Sequence, residues 1–562
     1  MDRAGIGRLF GLEFMRIALL FPPQWDPRQP PLTLPTLAAC LAGQGHQVRA
    51  WDLNLFYYQD VLRRSARQKK NKMLIRQYYD PRILMDLQRF ASVSSALENL
   101  LLSHHDPSGR HGLFWDRFEG PMSTQRRKDW QLICNRPEEF PRYHIFQPHL
   151  LQIIRWNPDI VCISIICDTQ ILGGLAIASG IRKGLRDTLI ILGGHAVRER
   201  RNVLSEHKWL FRFIDAICIS HGEPALQALA EGAGMADVPN VLWFDGHQVR
   251  YPRQLVPSSG AVQPHADFSV IPVNKYLTPS LVMPIETARG CPWSRCAFCG
   301  HPNTEFLGNA SYFPRPIEAV IGELRARINQ GWNQFFLVDE ALPYDRFYSL
   351  SKEIIRQRLS ISWICYLRLE KSHNLEAFRV AVQAGCRKAF FGLETGSGRL
   401  LRLYRKGFQP NTAVSVIRNA SQAGLAVHLF LITGFPNEST TDQQQTEQLL
   451  AKVLPFADPF GFTYDVFPLS VELETPLFHD PTRFEIFKPM KRSRNDLASL
   501  IKPTANWKST LSNTSRRIKE LVDRHLGPVP GLRHFDISQD SFHLPLLAKR
   551  AFSEDRSRLA TG

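Results

Sequence analysis

Apolar residues recur along this chain in two rhythms: short, nearly continuous runs, and longer stretches at helical spacing. "MRIALLFPP" (15–23) is a strand-like run stopped by two prolines. "LPTLAACLAGQG" (34–45) has helical spacing and a glycine stop, and "HQVRAWDLN" (46–54) alternates polar and apolar positions. Three more strand-like runs follow, "DIVCISII" (159–166), "TLIILGG" (188–194) and "DAICISHGE" (215–223), with helical stretches between them. Strands that are apolar on both faces must be covered on both faces, so this third of the chain predicts a doubly wound, Rossmann-like parallel sheet. Between the second and third runs, about 55–150, lies a basic, aromatic, mostly helical insertion that would cap the sheet or contact a substrate.

The same alternation returns later. "SLVMPIETARG" (280–290), "QFFLVDEALP" (334–343), "SWICYLRLEK" (362–371), "KAFFGLETGS" (388–397) and "AVHLFLITGFPNES" (426–439) read as strands. "RPIEAVIGELRARINQG", "NLEAFRVAVQAG" and "NTAVSVIRNASQAG" read as helices between them. Repeated strand–helix units predict a parallel β/α barrel or partial barrel with its polar residues at the strand C-terminal ends. The expected organisation is an N-terminal extension (1–14), an α/β domain (15–250), a β/α partial TIM barrel (275–455) and a C-terminal extension (456–562). The polar end of that extension reads as frayed.

At 562 residues the chain is too long for one core, which fits this division. Lys and Arg total 69 against 52 Asp and Glu, a net charge of +17. That surplus favours an anionic partner. The basic runs "RQKKNK" (67–72) and "KRSRND" (491–496) carry no interleaved aromatics, so they read as solvated surface and argue against nucleic acid. The most hydrophobic stretch, 159–181, is broken by Asp168, Thr169 and Gln170, so no membrane span is expected. The first residues lack the long apolar run of a secretion signal. Ten cysteines are too few for a disulfide scaffold in a chain this long, and the expected compartment is the cytoplasm.

Two places carry candidate chemistry. In doubly wound sheets, ligands bind beyond the strand C-terminal ends. Here those ends carry Pro22, Pro23, Ser164 to Gln170 (including Asp168), Gly193, Gly194, His221, Gly222 and Glu223. The second place is "RGCPWSRCAFCG" (289–300), with Cys291, Cys296 and Cys299 inside nine positions. A structural zinc site needs four ligands, and His301 would have to be the fourth. A disulfide leaves one thiol over. Three thiolates without a fourth protein ligand suit a [4Fe–4S] cluster with one iron open.

In its order of features, the segment from about 280 to 455 resembles the radical S-adenosylmethionine (SAM) superfamily. The resemblance makes Cys291, Cys296 and Cys299 the cluster ligands, although the first gap is four residues where the family usually has three. It places the Phe298 backbone at the SAM adenine, Asp339 and Glu340 at the SAM ammonium, Arg368 and Glu370 among polar SAM contacts, Glu394 near the ribose and Gly434 beside the adenine. A doubly wound domain directly before such a barrel resembles the cobalamin-binding members. Pro22, Ser164, Asp168, Gln170, Gly193, Gly194, Gly222 and Glu223 are then the cobalamin residues. The D-x-H-x-x-G lower-ligand signature is absent, which implies cobalamin without a histidine under cobalt, and Gln170 as a neighbour of its lower face.

The resemblance implies a [4Fe–4S] cluster, SAM and cobalamin as cofactors, a reductant such as flavodoxin or ferredoxin, and a small-molecule or peptide substrate. The reaction it implies is C-methylation: SAM cleaved by an electron from the cluster, hydrogen taken from a substrate carbon, and a methyl group delivered from methylcobalamin. Tyr464, Asp465 and Glu472 are candidate substrate contacts. The competing expectations are a cyclase or ring-rearranging enzyme with the same cofactors, a tRNA methylthiotransferase, and a zinc-stabilised binding protein. The methylthiotransferases carry three further cluster cysteines, an arrangement that Cys40, Cys134, Cys162, Cys167 and Cys218 lack.

Overall fold

The structure, a computed structural model, describes residues 14–103, 112–113, 118–119, 122–258, 263–300, 312–473, 475–487, 500–501, 506–527, 544–545 and 547. The chain divides into two compact units: residues 1–79, 93–277 and 492–499 form the first, and residues 80–92, 278–491 and 500–562 the second.

The first unit is built on β1 (Arg16–Phe21), β2 (Gln47–Asp52), β3 (Ile160–Ser164), β4 (Leu189–Gly193), β5 (Ala216–Cys218), β6 (Val241–Phe244) and β7 (Val249–Arg250). They pair in the order β2-β1-β3-β4-β5-β6-β7. The first five strands are parallel, and β6 and β7 close the edge antiparallel. Ile17 through Phe21 of β1 are fully buried, as a central strand covered on both faces must be. Helix Ile171–Gly184 covers one face. Its Gly173 lies so close to the chain after β1 that an added Cβ would sit 2.2 Å from the Pro23 carbonyl oxygen.

The insertion supplies the next layer. Its helix Arg127–Asn135 docks on Ile171–Gly184, where the Ser179 hydroxyl donates to the Cys134 carbonyl at 2.5 Å. The Tyr143 hydroxyl fills the space that a side chain at Gly180 would take. At least this part of the insertion therefore caps the sheet.

The second unit holds β8 (Met283–Ile285), β9 (Ala288–Gly290), β10 (Tyr312–Pro314), β11 (Gln334–Leu342), β12 (Ser362–Leu367), β13 (Cys386–Glu394), β14 (Ala426–Thr433) and β15 (Thr463–Pro468). Six of them form one parallel sheet in the order β8-β11-β12-β13-β14-β15, whose two end strands are not paired to each other. Helices Ile317–Asn329, Tyr344–Arg356, Leu375–Gln383, Pro410–Gln422 and Thr440–Val453 make the connections. This is the partial β/α barrel. It runs past residue 455, because β15 pairs with β14 along its whole length.

Alternation sets the inner face. Phe336, Ile364 and Phe390 form one cluster that Val338, Tyr366 and Phe430 extend. Trp363, on the opposite face, packs against Phe347 of helix Tyr344–Arg356. The tail is not wholly frayed. Leu544 is completely buried against Val282, Phe336, Ile364 and Phe390, because its apolar side chain completes the core cluster they form.

Candidate active site

The three cysteines sit on a hairpin. β9 and β10 pair antiparallel, with Gly290 opposite Tyr312, and the chain between them carries Cys291, Cys296 and Cys299. None of the three is in a disulfide, and all are partly exposed. Gly290 (φ 78°) and Ser294 (φ 49°) are left-handed, which bends the chain sharply after the strand. The Ser294 hydroxyl donates to the Cys291 carbonyl, and the Cys299 amide to the Cys296 carbonyl at 3.4 Å.

Residues 404–407 receive this loop, and the sequence reading did not single them out. The Ala297 amide donates to the Tyr404 carbonyl at 3.0 Å, and the Trp293 indole to the Arg405 carbonyl at 2.8 Å. Phe298 meets the fully buried Tyr404 ring edge-on at 5.2 Å. A Cβ at Gly407 would lie 2.2 Å from the Trp293 ring, so the indole needs that glycine. The segment 469–486 closes the other side: Leu469, Val471, Leu477 and Phe484 pack with Ala297 and Tyr404, and the Leu477 amide donates to the Ala297 carbonyl at 3.1 Å.

Lys406 is the decisive addition. Its ammonium is buried and donates to Glu394 at 2.8 Å, both side chains being 9% exposed. It also stands 5.9 Å from the Phe298 ring. Glu394 lies at φ 61°, and a register shift between Gly392 and Glu394 ends the regular strand there. A Cβ at Gly392 would be 2.5 Å from the Glu394 carboxylate and 3.0 Å from the Lys406 nitrogen, so glycine leaves room for the pair. Arg368 stacks 4.3 Å over Trp293, donates to the Lys406 carbonyl at 2.6 Å and pairs with Glu370 at 2.9 Å. Burial pushes the Cys296 thiol up, the Lys406 and Arg368 cations pull it down, and Glu394 and Cys291 push it up. Cations near a thiol favour its thiolate form, the form that binds iron.

Among the described residues, no three His, Cys, Asp or Glu side chains are gathered closely enough to hold a single metal ion. A structural zinc would draw its sulfurs to about 2.3 Å from one centre. An iron–sulfur cube binds each thiolate through a different iron and spreads the ligands wider. His301, the fourth ligand of the zinc alternative, lies outside the described residues.

The remaining barrel residues divide. Glu340 is exposed near the end of β11. Asp339, expected at the SAM ammonium, is 1% exposed and is consumed by the backbone instead. It accepts from the Thr287 amide at 2.6 Å, the Ala288 amide at 3.0 Å and the Thr287 hydroxyl. The reason is alternation: Val338 belongs to the inner face, so Asp339 points the other way. Burial pushes its carboxyl up to about 7 against those hydrogen bonds. Gly434, at φ 86°, gives its amide to Glu438 at 2.5 Å. Tyr464 is buried core, Asp465 faces His428 at 3.4 Å, and the Glu472 carboxylate lies against Gly300, next to Cys299.

In the first unit the expected cobalamin residues do gather at the strand C-terminal ends. Gly194 (φ 103°) brings its backbone so close that a Cβ would be 2.3 Å from the Ile165 carbonyl oxygen. Ser164 pairs with Gly193 across the ladder, and its buried hydroxyl has no hydrogen-bond partner. An orphaned hydroxyl beside a bare backbone edge suits a polar ligand. Gly222 begins the helix Gly222–Ala230 and Glu223 follows, buried.

Gln170 is bound into the backbone. It is fully buried, donates to the Pro22 carbonyl at 2.7 Å and accepts from the Ile166 amide at 2.8 Å, so its amide is spent tying β1 to β3. Asp168 pairs with buried Arg200 at 2.6 Å. Cys134, Cys162 and Cys218 are driven up to about 12 by burial and Cys167 to about 11, which marks them as inert thiols.

Residues 285–450 match the sequence model of the Radical SAM superfamily. Over that segment the chain is similar to the radical SAM superfamily. It is 24% identical over 313 residues to an uncharacterized methyltransferase, PH0819, of Pyrococcus horikoshii, covering 54% of this chain and 66% of that protein. It is 24% identical over 292 residues to the hopanoid C-3 methylase of Methylococcus capsulatus, covering 50% and 54%. The chain thus spans no more than about two thirds of these relatives. Its fold is that of two solved cobalamin-dependent radical SAM proteins. OxsB with aqua-cobalamin bound gives a TM-score of 0.61 at 14% identity over 90% of this chain and 66% of that one. The radical SAM methyltransferase TsrM from Kitasatospora setae, with tryptophan and a SAM analogue bound, gives 0.55 at 16% over 82% and 75%.

Proposed function

We propose that this protein is a cobalamin-dependent radical SAM C-methyltransferase acting on an unactivated carbon of a peptide or natural-product intermediate. The observation that carries the reading is the hairpin of three cysteines set against a buried lysine and a stacked arginine. The methyltransferase and methylase among its relatives, and the fold it shares with OxsB and TsrM, support it. Relatives also include methylthiotransferases. Against that alternative, the N-terminal cysteines are spread over separate elements, and desolvation raises the pKa of Cys134, Cys162, Cys167 and Cys218.

Cys291, Cys296 and Cys299 would hold the cluster, and the C-terminal ends of β1, β3, β4 and β5 the corrinoid. When bound, these groups supply one-electron cleavage of SAM and a transferable methyl group. The chain's own residues do the rest. Lys406 and Arg368 offset the negative charge of the thiolates. Phe298, Tyr404 and residues 469–486 exclude water from one side of the loop. Glu340, exposed near the end of β11, would be the carboxylate that meets a cationic ligand group.

The test is anaerobic reconstitution of the full chain. We expect iron and sulfide in equal amounts at cubane stoichiometry, a corrinoid spectrum without a histidine ligand, and 5′-deoxyadenosine formed with reductant and SAM. With candidate substrates and methyl-deuterated SAM, the product should carry the labelled methyl. A product of unchanged mass would favour the cyclase or rearrangement reading, and zinc in place of iron would remove the enzyme reading altogether.

A further inference from the structure

The cysteine hairpin has a root as well as a loop. β8 ends at Ile285 and β9 starts at Ala288, so Glu286 and Thr287 join the parallel sheet to the hairpin. Thr287 is fully buried and is gripped from two sides. Asp339 of β11 takes its amide and hydroxyl together with the amide of Ala288. Arg346, from helix Tyr344–Arg356, donates to the Thr287 hydroxyl at 2.8 Å and to its carbonyl. The same carbonyl accepts from the Arg315 amide at 2.9 Å, just past the second hairpin strand. Arg315 in turn donates to the Glu286 carbonyl at 2.6 Å and pairs with fully buried Glu323 at 2.7 Å.

We propose that Asp339, with Arg346, is a positioning residue that fixes the root of the cysteine hairpin through Thr287, and that it does not bind SAM. This rests on the reading of Cys291, Cys296 and Cys299 as cluster ligands. The physical case is that both carboxylate oxygens are engaged, the group is buried, and it lies on the face of β11 opposite the barrel interior. A carboxylate placed so can act on the cluster only through the backbone it holds. Groups of this kind set the orientation of the ligands they support.

The experiment compares Asp339→Asn, Thr287→Val and Thr287→Ser with the wild type, each as the full chain reconstituted without oxygen. Three quantities are read: the rate at which a ferrous chelator strips iron, the electron paramagnetic resonance spectrum of the reduced cluster, and SAM affinity per intact cluster. Asp339→Asn and Thr287→Val should release iron about 10-fold faster or more and broaden the spectrum, with SAM affinity per cluster unchanged. Thr287→Ser keeps the hydroxyl and should behave as the wild type. Should Asp339→Asn not fold, the valine and serine variants carry the comparison. Wild-type iron retention in Thr287→Val overturns the proposal, as does an Asp339→Asn protein that keeps its iron but loses SAM affinity. A wild type that holds no iron–sulfur cluster would instead overturn the functional reading on which it rests.

Discussion

Replacing Lys406 with methionine tests the electrostatics of the site most directly. The substitution keeps a long apolar stem and removes the ammonium 2.8 Å from Glu394. It leaves a carboxylate 9% exposed without that cation. Breaking a buried pair by removing one partner costs about 3–5 kcal/mol, because the surviving charge remains desolvated. Removing both charges at similar volume, in K406M/E394Q, should restore much of that loss, so the double-mutant cycle should return a coupling of about 2 kcal/mol or more. The assay is equilibrium urea unfolding followed by hydrogen exchange in peptides spanning 386–407, which reads the unit that holds the pair. A K406M protein within about 0.5 kcal/mol of wild type, the range of neutral surface changes, would refute the argument. So would a double variant no more stable than the sum of the single losses.

Two further outcomes are expected. Gly194→Ala and Gly173→Ala each force a Cβ to within about 2.3 Å of a carbonyl oxygen and should cost about 2–4 kcal/mol in thermal or urea melts. Gly232→Ala, at φ 83° with nothing within 4 Å, should lose only the backbone share, about 1 kcal/mol; equal losses in all three would refute the clash. Asp52, buried against the Tyr276 hydroxyl, has its carboxyl pushed by burial from 3.8 to about 6. An acid raised on folding binds its proton more tightly in the native state. Its contribution is therefore fully present below pH 4 and lost as pH rises through 6, roughly 3 kcal/mol by linkage. Asp52→Asn should flatten that stretch of the stability–pH curve, and an unchanged slope would show that another group is responsible.

The β/α alternation was legible in the sequence because buried parallel strands must be apolar on both faces and leave a strong signal. β1, β3, β4 and the barrel strands β11 to β14 fall within or close to the runs read from it. β15 was not, since Thr463, Asp465 and Pro468 interrupt its apolar run. Nor were β6 and β7, at four and two residues. The three cysteines were legible because a thiol trio is rare and its spacing is local. Lys406 was not: a lysine in "YRKG" looks like surface until the fold buries it against Glu394. Nor were the Thr287 and Pro22 backbone groups that Asp339 and Gln170 bind, because those partners lie far off in the chain.

What the sequence determined by itself was therefore the order of layers, the thiol trio and the strand ends where the candidate ligand residues lie. Each depends on short-range periodicity or spacing. Which carboxylate faces the barrel, which amide is spent on backbone, and which cation stands beside the thiols were decided only by the tertiary structure. Those assignments turn on strand register and on contacts between residues far apart in the chain, and a single strand's pattern carries no information about either.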